Sequence, residues 1–116
     1  MEQPAFASGA VEASTSRAEG RVVLALTGEL DLAAHDDLER YIAQLDAERP
    51  AVFLLDLRGL TFIDSSGIRL IVHQRERSAA RGGRFVVVHG SAFIDRLLEI
   101  SGVRDLLEIV DDPEAI

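Results

Sequence analysis

Two adjacent hydroxyls between a carboxylate and a glycine, Asp64-Ser65-Ser66-Gly67, carry the clearest chemical content of this chain. They follow an apolar run, Ala51 to Leu57, that passes through Leu60-Thr61-Phe62-Ile63 into a stretch of helical period. The first turn of a helix offers unpaired N–H groups and the positive end of the helix dipole. A phosphoryl group on a serine there is electrostatically tolerated, so modification need not unfold the helix. The plainer reading makes Ser65 or Ser66 an N-cap. Two observations weigh against capping as the whole account. Ile68 and Arg69 occupy the positions where a capping box would place Glu or Gln, and one cap needs only one serine. Gly67 is expected to leave room for a partner to approach the hydroxyl.

A second segment, Thr27-Gly28-Glu29-Leu30-Asp31, repeats the context of an apolar strand leading into a helix. Asp31 is suited to cap that helix. It would also lie on the same sheet edge as Ser66, where it could meet a partner or a metal held by a kinase. Other chemistries lack their parts. The first Gly of a Gly-x-Ser-x-Gly nucleophile elbow is missing, and no histidine is spaced as a base for Ser65 or Ser66. Asp31 and His35 are four apart but have no third ligand, so no metal site is assigned. His73 and His89 read as surface or sheet-end residues. Gly82, Gly83 and Gly90 form no nucleotide-binding pattern, so the chain is expected to need no cofactor. No catalytic residue is assigned.

The elements that must position these segments follow from periodicity. Val11–Ser16 reads as a short edge strand, and Arg17-Ala18-Glu19-Gly20 as a hairpin turn. Arg21–Thr27 is a compact apolar strand stopped by Gly28. Leu38, Tyr41, Ile42 and Leu45 recur every three or four residues and predict a helix over about 33–47. Ala51–Leu57 suits a strand buried on both faces, with Gly59 interrupting it. The helix after Asp64 has Ile68, Ile71, Val72 and Ala79 as its apolar stripe and ends at Gly82-Gly83. Phe85–Val88 is a third clear strand. Ser91 caps a short helix with Phe93, Ile94, Leu97 and Leu98 inward. Val103–Val110 predicts a turn and a short edge strand. Alternating strands and helices imply an α/β domain with a mixed, mostly parallel sheet and an antiparallel hairpin at its start. Residues 1–10 and 111–116 read as tails, leaving 11–110 as one domain.

Composition narrows the function classes. The formal net charge is −8, and nucleic acid or an anionic membrane would repel such a surface. A basic protein partner fits better. Cysteine is absent, which excludes a disulfide framework and thiolate metal sites. No apolar run approaches the length of a membrane span, and Met1-Glu2-Gln3-Pro4 lacks the features of a secretory signal. A cytoplasmic protein without direct membrane contact is expected.

Gly28-Glu29-Leu30-Asp31 followed by Asp64-Ser65-Ser66-Gly67 resembles the STAS-domain family of bacterial anti-sigma-factor antagonists. Gly82-Gly83 before Phe85-Val86-Val87-Val88 and the late Ser101-Gly102-Val103 are similar to that family as well. The resemblance spans about Val11 to Val110 and implies a STAS-type α/β fold. It also implies a partner switch. The unphosphorylated antagonist binds an anti-sigma factor that is also a serine kinase, and the sigma factor is released. The kinase, which holds the ATP, transfers a phosphoryl group to the second serine, Ser66. The modified antagonist lets go, and a serine phosphatase resets it. Asp31, Asp64, Ser65, Ser66, Gly67, Ile68 and Arg69 are the implied partner-binding residues. Arg69 departs from the small residue found there in some antagonists; it either pairs with phosphate, sets partner choice or is simply solvated. The alternative within the fold is an unphosphorylated STAS subunit of a membrane transport complex or stress-signalling scaffold.

Overall fold

The computed structural model describes residues 6–116. The strands are β1 (Phe6–Ser8), β2 (Val11–Ala18), β3 (Arg21–Leu30), β4 (Val52–Ile63), β5 (Arg84–Val88) and β6 (Glu108–Val110). The helices are α1 (His35–Asp46), α2 (Ser65–Ala80) and α3 (Ala92–Ile100). The six strands form one sheet in the order of the chain. β1, β2 and β3 pair antiparallel, and β3 to β6 pair parallel. The expected mixed α/β sheet with an antiparallel start is therefore what forms.

Alternation on the strands explains the layering. Leu24 and Leu26 of β3, Phe53, Leu55 and Leu57 of β4, and Phe85 and Val87 of β5 share one buried core. Leu38, Ile42 and Leu45 of α1, Leu70 and Ile71 of α2, and Ile94 and Leu98 of α3 pack into that core. All three helices thus cover one face of the sheet. The intervening residues Leu54, Val86 and Val88 form a smaller apolar cluster on the reverse face. Val23, Val52, Val110 and the terminal Ile116 pack against it. Arg21 donates to the carbonyls of Pro113 and Ile116 at 3.4 and 3.2 Å, which holds the chain's end across that reverse face.

Several expectations need correction in detail. Residues 1–5 of the expected tail lie outside the described residues, but Phe6–Ser8 pairs with β2. Phe6 stacks on Tyr41 of α1 with ring centroids 4.7 Å apart, an anchor too short to show any period in sequence. Residues 111–116, also read as a tail, contain a 3-10 turn at Pro113–Ala115. β3 continues through Gly28, whose φ of 91° accommodates the irregular register at that point. β4 continues through Gly59 as well. There the pairing shifts from Ala25↔Asp56 to Thr27↔Gly59, which is a bulge rather than an end. A Cβ at Gly59 would lie 2.6 Å from Thr27 Cγ2, so glycine permits the close approach of the two strands. The extra length of β4 carries Asp64 beyond the sheet's shorter strands.

Candidate functional site

The parallel register ends with Leu30 beside Ile63. Both side chains are buried, so the chain is pinned at the last residue of each strand. The next residues, Asp31 and Asp64, therefore emerge side by side at the carboxyl edge of the sheet, where ligands of open α/β sheets collect. Asp31 caps a 3-10 turn, Leu32–Ala34, by accepting the Ala33 N–H at 3.1 Å.

Asp64 is the N-cap of α2. This corrects the capping expectation, since neither Ser65 nor Ser66 serves as the cap. Oδ1 of Asp64 accepts the Ser66 and Gly67 amides at 3.0 and 3.1 Å, satisfying two of the helix's orphan donors. The same oxygen accepts the Ser66 hydroxyl at 2.6 Å. Oδ2 accepts the Leu32 amide of the neighbouring turn at 3.1 Å. Burial alone would raise the Asp64 carboxyl. The Ser66 hydroxyl and the amides of Gly67, Ser66 and Leu32 outweigh it and hold the group below the usual carboxylate range.

The other expected site residues divide by depth. Ser65 is exposed, whereas Ser66 is only 5% exposed and turned onto Asp64. Gly67 is buried, and a Cβ there would meet Ile63 Cγ1 at 2.6 Å and Leu30 Cγ at 2.9 Å. Its missing side chain lets α2 sit down on the strand ends; it does not open space for a partner, as its position in sequence suggested. Ile68 packs against the core and Arg69 is exposed. Two residues that the sequence reading passed over lie beside the site. Leu32 is 72% exposed, with its amide fixed by Asp64, and Phe62 is exposed at the end of β4. The only signal for Leu32 was an apolar residue immediately after a predicted cap. Among the described residues no group of His, Asp and Glu is arranged to hold a metal ion, and no helix is long and apolar enough to cross a membrane.

The chain is similar to known proteins in family, in sequence and in fold. The STAS domain family model matches residues 12–115. An anti-sigma F factor antagonist of Paenibacillus polymyxa is 29% identical over 94 residues, covering 80% of each chain. The crystal structure of an anti-sigma factor antagonist from Mycobacterium paratuberculosis superposes with a TM-score of 0.80 at 21% identity, covering 90% of this chain and 88% of that one. The Bacillus cell fate determinant SpoIIAA in its phosphorylated form superposes with a TM-score of 0.69 at 23% identity, covering 89% and 95%.

Proposed function

The chain belongs to the STAS domain family, and from that premise we propose that it is an anti-sigma-factor antagonist controlled by phosphorylation of Ser66. The unphosphorylated form binds an anti-sigma factor that is also a serine kinase, so that a sigma factor is released. The kinase brings ATP. Its γ-phosphoryl group passes to Ser66 Oγ, ADP leaves, and the hydroxyl proton is lost to a base. A serine phosphatase reverses the change. The chain is a phosphoryl acceptor with no catalytic role of its own, and it works in the cytoplasm.

The observation that carries this reading is the division of labour at the start of α2. Asp64 does the capping, which leaves Ser66 at the positive end of the helix without a structural duty as cap. The charge argument supports the direction of the switch. A phosphoryl group adds roughly −1.5 to −2 charges at neutral pH. It arrives beside Asp64 on a chain already at −8. A partner surface fitted to a neutral hydroxyl then meets repulsion and desolvation. A loss of ~3 kcal/mol weakens binding more than a hundredfold.

Because Ser65 is exposed and Ser66 is not, the test must separate them. The protein is incubated with host lysate and labelled ATP, beside Ser65→Ala and Ser66→Ala, and the phosphopeptides are mapped. Label on the wild type and Ser65→Ala but not on Ser66→Ala is the expected result. Label retained by Ser66→Ala moves the site. No label from a kinase-competent lysate favours a STAS subunit that binds its partners without phosphorylation.

A further inference from the structure

We infer that Asp64 couples the state of Ser66 to the neighbouring turn, so that a phosphoryl group on Ser66 releases Leu32 from its fixed position. This rests on the reading of Ser66 as the modified residue and adds a conformational output to it. The two oxygens of Asp64 serve different elements. Oδ1 holds α2 through two amides and the Ser66 hydroxyl, while Oδ2 holds the Leu32 amide. One carboxylate therefore joins the helix that carries the acceptor serine to the turn that carries an exposed leucine.

Phosphorylation acts against both halves of that joint. The Ser66 O–H, a donor 2.6 Å from Oδ1, becomes an ester oxygen with no proton. The attached dianion has no room at the present position, since Ser66 is almost wholly buried. It is also repelled by a carboxylate that its surroundings keep ionised. Phosphate oxygens at the first turn compete for the same Ser66 and Gly67 amides that Asp64 now caps. When Asp64 yields the cap and swings from the phosphate, Oδ2 leaves the Leu32 N–H. Asp31 still closes the turn through Ala33, so the turn shifts without dissolving. An apolar side chain beside the docking edge then loses its defined place.

The test uses the intact protein with phosphoserine incorporated at position 66 during translation, so no kinase is required. Amide hydrogen exchange is followed by NMR at Leu32, with Val87 of the buried β5 as the internal reference. Leu32 is expected to exchange at least tenfold faster in the phosphoserine protein, with Val87 unchanged. Ser66→Ala, which removes the hydroxyl without adding charge, is expected to keep Leu32 protected. Asp64→Asn, whose amide group cannot accept from Leu32 where it faces that N–H, is expected to free Leu32 without any phosphate. Equal Leu32 exchange in the wild-type and phosphoserine proteins overturns the coupling. So does a rise at Leu32 and Val87 together, because phosphate would then be loosening the whole domain. Failure here leaves the assignment of Ser66 untouched, and failure of the labelling experiment leaves this measurement interpretable.

Discussion

At the scale of single residues, Asp64 carries more of the site than either serine. Replacing it by alanine removes the cap of α2 and the anchor of the Leu32 turn. Asp64→Ala is expected to cost about 1–2 kcal/mol, the usual range for a lost N-cap, read from urea denaturation midpoints at unchanged slope. The pH dependence has a definite sign. The carboxyl is depressed in the folded protein, so its stabilisation is complete above the unfolded carboxylate value of about 3.9 and is lost as pH falls through the lower folded value. Asp64→Asn should flatten that acid limb. The adjacent Gly67 makes a separate prediction. Gly67→Ala forces a methyl against Ile63 and Leu30 and is expected to destabilise by about 1–3 kcal/mol, with α2 lifted from the strand ends. Sequence alone showed a helix start at this motif. It pointed to Ser65 or Ser66 as the cap, whereas Asp64 takes that place. That choice is made by burial of Ile63 in register with Leu30, which sets the chain direction entering the helix.

At the scale of elements, α2 is held at both ends by polar groups. Its buried face runs through Ser66, Leu70, Gln74 and Ser78, a spacing of four that was hidden because three of these residues are polar. The apolar stripe read from sequence was Ile68, Ile71, Val72 and Ala79, of which only Ile71 is fully buried. Ile68 and Val72 prove only partly buried, and Ala79 is exposed. The reason is a polar cluster that α2 forms with Glu39, Asp46 and Pro50, which are distant in sequence. Gln74 donates to Asp46 of α1 at 2.8 Å and to Ser78 at 3.0 Å. Arg81 donates to Asp46 at 3.0 Å and to the Pro50 carbonyl at 2.6 Å, while Arg77 bridges Gln74 and Glu39. Burial of those polar groups is tolerable because most of their donors and acceptors pair with one another, Arg81 Nη2 being the one buried atom of the cluster left without a partner among the described residues. Asp46→Ala is therefore expected to cost about 3 kcal/mol, since it strands the Arg81 guanidinium in a largely buried position; thermal and urea melts measure it. α3 shows the converse. Ile94 and Leu98 are inside as predicted, but Phe93, predicted inward, is 52% exposed. Helical period locates an apolar arc, and the width of the sheet beneath decides how much of that arc is covered.

At the scale of the whole molecule, the sheet class was legible because short apolar runs alternated with helical ones. The reverse face of the sheet was not, because its cover comes from Pro113–Ile116, a segment without periodicity. The last strand is tied to its surroundings by His89. Its Nδ1 faces Asp95 of α3 at 2.9 Å and its Nε2 faces Asp111 at 2.6 Å. Hydrogen bonds to Asp95 and then Asp111 raise the imidazole above its ordinary value, despite some opposing desolvation. The resulting stabilisation is full below the unfolded value of about 6.5 and is lost as pH rises through the folded one. The melting temperature is thus expected to fall between pH 6 and pH 8 by more in the wild type than in His89→Gln, measured by calorimetry at fixed ionic strength.

The sheet order β1-β2-β3-β4-β5-β6 has a consequence for synthesis. Every strand docks on the one made immediately before it, so no inner slot stays open for a strand still inside the ribosome. Loop closure is limited to the hairpins and the helical crossovers, which keeps the entropy of each addition small. At each stage the growing edge is the newest strand. The parts of the Ser66 site are all present once α2 has emerged, before the last two strands are made.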